Sequence, residues 1–64
     1  MTYQIIRLKG VMAKTGLARS TIYAKLAEDV FPEPINLGPS AVGWVEQEID
    51  DWLTSRIEAR DSGE

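Results

Sequence analysis

Phe31-Pro32-Glu33-Pro34 sets the strongest limit on how this chain folds. Each proline drives the residue before it toward extended backbone and has no amide hydrogen to donate. No helix crosses this segment, so the chain divides there into two short parts. With 64 residues in all, there is material for one domain and no more. A domain of this size buries only about 60% of the surface its unfolded chain exposes. Two short helices cannot bury themselves alone, so the two parts must share one core.

The part before the break reads as two helices. Residues 3–8, YQIIRL, form an extended lead-in. Leu8, Val11 and Met12 follow the i, i+3, i+4 spacing of one apolar helical face, which places a first helix over residues 8–14. Thr15-Gly16 ends it, because glycine takes the left-handed C-terminal position without steric cost. A second helix follows over residues 18–28, with Leu17, Ile22 and Leu26 turned inward. At about 100° per residue, Ser20, Tyr23, Ala24 and Ala27 lie on the opposite arc, with Thr21 on its flank. Arg19 and Lys25 lie nearer the boundaries, where their long stems reach outward. Ala18 occupies the N-cap position without an oxygen to accept the free amides, at a cost of about 1 kcal/mol against serine. Ser20 or Thr21 is expected to substitute in part.

After the break, Ile35-Asn36-Leu37 alternates like a strand and Gly38-Pro39-Ser40-Ala41 reads as a turn. Val42-Gly43-Trp44 returns as a second strand, making a small hairpin. The strongest helical pattern covers residues 46–60. Glu46, Glu48 and Asp50 favour its N-terminal dipole, Arg56 and Arg60 its C-terminal end. Ile49, Trp52, Leu53 and Ile57 form its apolar stripe. Trp44 and Trp52 sit on apolar faces and belong to the core. Residues 1–60 then make one mainly α domain with a small β-hairpin, and residues 61–64 a frayed tail.

Composition removes several functions. The chain has neither cysteine nor histidine, so thiolate metal sites, disulfides and the commonest general base are excluded. No cofactor, no metal site and no enzymatic role are expected. No stretch approaches the roughly 20 apolar residues of a membrane span, and the N-terminus does not read as a signal peptide. A cytoplasmic, nucleoid-associated protein is expected, without membrane or small-molecule partners. The net charge of −3 conceals a division. Residues 1–27 hold Arg7, Lys9, Lys14, Arg19 and Lys25 and no acid, for +5; residues 28–64 carry −8. The division suggests one anion-facing surface and one solvated surface.

Two short helices joined by a glycine turn, with a compact hydroxyl and basic face on the second, make a helix-turn-helix pattern. Such a face suits hydrogen bonding to phosphates and base edges in the major groove, and Ala24 and Ala27 permit close approach. The following hairpin would be a wing. A plain α+β mini-domain also accommodates this pattern. Lys9 and Lys14 suit either phosphates or a solvated face, and Tyr23 suits either DNA contact or packing beneath the hairpin. Asp50 and Asp51 point about 100° apart and read as solvated helix charge rather than a catalytic pair.

RLKGVMAKTGLARSTIYAKL, followed by FPEPINLG, AVGW and EIDDWL, resembles the AlpA family of prophage-type transcriptional regulators. The likeness runs from about Arg7 to Ile57. It implies a winged helix-turn-helix akin to MerR regulators and phage excisionases, acting on double-stranded DNA to regulate a promoter. An excisionase that directs recombination is an alternative, as is a protein-interaction adaptor of a different class. Self-association or cooperative binding on DNA accompanies the first two. The resemblance assigns the recognition helix to residues 18–29, matching Arg19, Ser20, Thr21 and Tyr23, with Lys25 in the same helix. Arg7, Lys9 and Lys14 would help on phosphates, and Gly38 to Trp44 would be the wing, with Ser40 as its polar contact. This chain departs from the pattern at Ala18, where serine is frequent, and at Ala24 and Ser40, where arginine is frequent. No lysine or arginine occurs between residues 26 and 55.

Overall fold

The alternation of apolar residues around the double proline builds six elements. They are β1 (Ile5–Ile6), α1 (Leu8–Thr15), α2 (Arg19–Ala27), β2 (Ile35–Gly38), β3 (Ala41–Val45) and α3 (Glu46–Asp61). The computed structural model describes residues 2–63. The protein is mainly α-helical with a small antiparallel sheet.

The sheet has three strands in the order β1-β3-β2. The expected hairpin is present: Ile35 pairs with Gly43, Asn36 with Val42 and Gly38 with Ala41 across the turn at Pro39-Ser40. Its register shifts between Asn36 and Gly38. There the Asn36 side-chain oxygen accepts the Gly38 amide at 3.0 Å, which holds the irregularity. The lead-in is more than an extended segment. Ile5 pairs with Val45 and Ile6 with Trp44, so it becomes the third strand. The Glu46 amide donates to the Gln4 carbonyl at 2.8 Å, prolonging that contact into the start of α3.

Gly43, in the central strand, is fixed by its neighbours. A methyl group added there would lie 2.6 Å from Ile5 Cγ2 and 2.9 Å from Leu37 Cδ1. Only a residue without a side chain lets β1 and β2 close over β3.

The core draws one buried residue from each main segment: Val11 of α1, Ile22 of α2, Phe31 of the linker, Trp44 of β3 and Ile49 of α3. Ile6, Leu8, Met12, Leu17, Leu26, Trp52 and Leu53 pack around them. This is the shared core that the proline break demanded. The α3 stripe is covered as far as Leu53, while Ile57 stands half exposed. The reason is length: α3 has 16 residues against 8 and 9 in α1 and α2, so its end outruns the surface available to cover it.

The second helix does not run to Phe31-Pro32. It ends at Ala27, before the prolines, in a left-handed turn centred on Asp29 at φ 64°. The Asp29 amide donates to the Leu26 carbonyl and the Val30 amide to the Lys25 carbonyl, at 3.1 and 3.0 Å. This is the Schellman arrangement, with aspartate where glycine is usual. The prolines then keep the linker extended. Both indoles hold it: Trp52 Nε1–H donates to the Val30 carbonyl at 3.0 Å, and Trp44 Nε1–H to the Pro32 carbonyl at 2.9 Å. Phe31 meets the Trp52 ring edge to face, with centroids 4.8 Å apart. At its far end α3 continues through Asp61, the first residue of the tail expected over residues 61–64, and Ser62 Oγ donates to the Glu58 carbonyl; Glu64 lies outside the described residues.

Candidate nucleic-acid interface

The turn between α1 and α2 is built from three adjacent residues. Gly16 takes φ 73° and donates its amide to the Met12 carbonyl at 2.8 Å. Thr15 Oγ1 donates to the Val11 carbonyl at 2.7 Å and accepts the Leu17 amide at 3.3 Å. A single hydroxyl thus closes α1 and fixes the direction in which the chain leaves it. Ala18 is the N-cap of α2, and its carbonyl accepts the Ile22 amide at 3.0 Å. No side chain caps the helix, so neither Ser20 nor Thr21 supplies the cap that alanine lacks.

With Ile22 fully buried, the opposite side of α2 faces outward. Arg19, Ser20, Tyr23, Ala24 and Ala27 are exposed, and Thr21 and Lys25 are half-buried at its flanks. Tyr23 does not pack beneath the hairpin; it stands 43% exposed, and the Arg19 guanidinium lies over its ring, 5.7 Å from the centroid. The two residues are four apart, the spacing that stacks side chains on one helical face.

The other basic residues are placed differently. Arg7 is the exposed N-cap of α1, and Lys9 is exposed in its first turn. Ser40 is exposed at the tip of the β2–β3 turn. Lys14 points to α3: its ammonium lies 2.8 Å from an Asp50 oxygen and 3.1 Å from a Glu46 oxygen. Hydrogen bonds to Asp50 and then Glu46 raise its pKa above the ordinary lysine value. A phosphate would have to compete with two carboxylates for this cation. Sequence reasoning placed Glu46 and Asp50 against the helix dipole and did not pair them with Lys14. The one available signal was their i, i+4 spacing, which puts both on one face of α3.

The fold defines the class: a small, mainly α domain with an antiparallel sheet, whose nine-residue second helix presents arginine, hydroxyls and small residues to solvent. The comparison of sequences makes that class specific. Residues 4–57 match the family model described as "Prophage CP4-57 regulatory protein (AlpA)". The chain belongs to this family and is an AlpA-type transcriptional regulator, not an enzyme. It is 46% identical over 59 aligned positions to the "DNA-binding transcriptional activator AlpA" of Escherichia coli (strain K12), covering 83% of this chain and 84% of that protein. It is 37% identical over 60 positions to "Uncharacterized protein ORF88" of Enterobacteria phage P4, covering 94% of this chain and 68% of that one. Among the described residues, no helix is long and apolar enough to cross a membrane.

Proposed function

We propose that the chain is a winged helix-turn-helix that binds double-stranded DNA and regulates transcription from it, with α2 in the major groove and the β2–β3 hairpin as the wing. The observation that carries this reading is the outward face of α2. It presents Ser20, Tyr23, Ala24 and Ala27, with Arg19 exposed at its edge, while Ile22 on the other side anchors the helix in the core. A nine-residue helix is about 13 Å long and enters a groove about 12 Å wide, with the small residues allowing close approach. The E. coli relative, described as DNA-binding, supports the same reading. Arg7, Lys9 and Lys25 hold phosphates around it, with Ser20 and Thr21 donating from the helix. Lys14 serves chiefly to clamp α1 to α3, and Ser40 gives the wing a single neutral contact.

Salt dependence tests the reading. Arg7, Lys9, Arg19 and Lys25 are the basic residues of the first half that Glu46 and Asp50 do not engage. If Arg7, Lys9 and Lys25 meet phosphates while Arg19 enters the groove, log K falls with log salt at a slope of about −3. Arg19→Glu abolishes binding while circular dichroism and melting remain those of the parent, because Arg19 is exposed. A flat slope, or no binding to duplex DNA at low salt, refutes the proposal.

A further inference from the structure

From the placement of Arg19 over Tyr23 we infer that Arg19 reads a guanine base and that Tyr23 is the positioning residue that makes it able to do so. The inference rests on the DNA-binding reading above and goes on to say what is recognised.

The basic residues fall into distinct electrostatic situations. Lys14 is held by Glu46 and Asp50, and Arg60 bonds Asp61 through both Nε and Nη2, at 3.0 Å each. Those partners orient a cation by occupying its N–H groups. The partner of Arg19 is a ring. A guanidinium near an aromatic face is attracted by the ring quadrupole and need not give up an N–H of its planar donor fork to a carboxylate. Tyr23 therefore restrains where the Arg19 guanidinium can lie and takes no N–H of its donor fork in a hydrogen bond. Bidentate recognition of guanine O6 and N7 needs such a fork, planar, oriented and unoccupied.

Position agrees with this. Arg19 is the first residue of α2, and residues at the start of a groove-bound helix are those that reach base edges. Its side chain is exposed, and no carboxylate among the described residues is paired with it. Arginine carries high rotamer entropy, and a contact that restrains it before binding reduces what must be lost on the DNA. The Tyr23 hydroxyl is not required for this; the ring is.

The test starts from a site selected by the wild-type protein out of random duplexes. Affinity is then measured for that site and for variants carrying each other base pair, or 7-deazaguanine, at the preferred guanine. Wild type should prefer guanine at one position by about 10-fold or more, and 7-deazaguanine, which lacks the N7 acceptor, should remove much of that preference. Tyr23→Phe should keep the preference. Tyr23→Leu and Arg19→Lys should reduce it to about 3-fold or less, with the salt slope unchanged, since the charge at residue 19 remains. Melting of each variant should match the parent, because both positions are exposed. Undiminished guanine preference in Tyr23→Leu overturns the positioning role. A uniform loss on all duplexes does so too, since it makes Tyr23 a general contact. If wild type binds duplex DNA but no guanine is preferred, the base assignment fails while the DNA-binding reading stands. If wild type binds no duplex at low salt, that reading fails and this inference with it.

Discussion

Replacing each tryptophan by phenylalanine makes the same chemical change in two surroundings, and the structure assigns the two changes different costs. Both indoles hold the proline linker, Trp44 through the Pro32 carbonyl at 2.9 Å and Trp52 through the Val30 carbonyl at 3.0 Å. Trp44 is fully buried. In Trp44→Phe the carbonyl of Pro32 loses its donor in a part-buried hydrogen bond, at a cost of about 1–3 kcal/mol. The smaller ring leaves a void in the core, for about 1 kcal/mol more. The total is about 2–4 kcal/mol, a large part of the stability of a domain this small. Trp52 is only half-buried and its hydrogen bond is exposed, so water replaces the lost donor. A phenylalanine there also retains an aromatic ring beside Phe31, and the cost is about 0.5–1.5 kcal/mol. Urea unfolding followed by far-UV circular dichroism measures both. The midpoint should fall much further for Trp44→Phe, with similar slopes, and melting temperatures should follow at roughly 4–8 °C per kcal/mol. Equal costs, or a greater cost at Trp52, would refute the argument that the burial of Trp44, and the lesser exposure of its hydrogen bond, set the difference.

Gly43→Ala should destabilise by about 1–3 kcal/mol in the same assay, since the new methyl has no space between Ile5 and Leu37. Lys14→Met should remove part of the alkaline dependence of stability. The folded-state pKa of Lys14 is raised by Asp50 and Glu46, so its contribution is complete below the ordinary lysine pKa and is lost as pH rises through the folded value. Melts from pH 8 to 11.5 should therefore show a shallower alkaline decline in the variant. Asp29→Gly should stabilise by about 0.5–1 kcal/mol, because glycine takes the left-handed turn at φ 64° without strain; a loss of stability in urea unfolding would contradict this. Ser40→Arg should tighten DNA binding and steepen the salt slope by about one unit, since it places a cation at the uncharged wing tip. Ser40→Ala should cost less than about 1 kcal/mol of affinity, and a larger loss would show that the wing relies on the hydroxyl.

How much of this was readable in advance differs from residue to residue. Leu8, Val11 and Met12 announced α1, Gly16 announced its end, and the outward arc of α2 follows from counting around Ile22. Those signals are local. The family likeness was carried by the order of such pieces along the chain. The contact between Arg19 and Tyr23 was also available as an i, i+4 pair, although nothing in the sequence chose between that contact and packing beneath the hairpin.

Other features needed the folded chain. Ile5 and Ile6 are too short a run to signal a strand, and they become β1 because β3 offers an unpaired edge. Asp29 carries no preference strong enough to mark a left-handed turn, and the two-bond closure around it stops α2 before the prolines do. Lys14 looked available to an anion until α3 brought Glu46, 32 residues away, and Asp50 to its ammonium. By itself, then, the sequence determined the proline break, the helical faces and the family, because backbone preference and side-chain period act over a few residues. Tertiary structure alone decided the third strand, the fate of Lys14 and the hold of two indoles on the linker, because each depends on groups brought together only when the core closes.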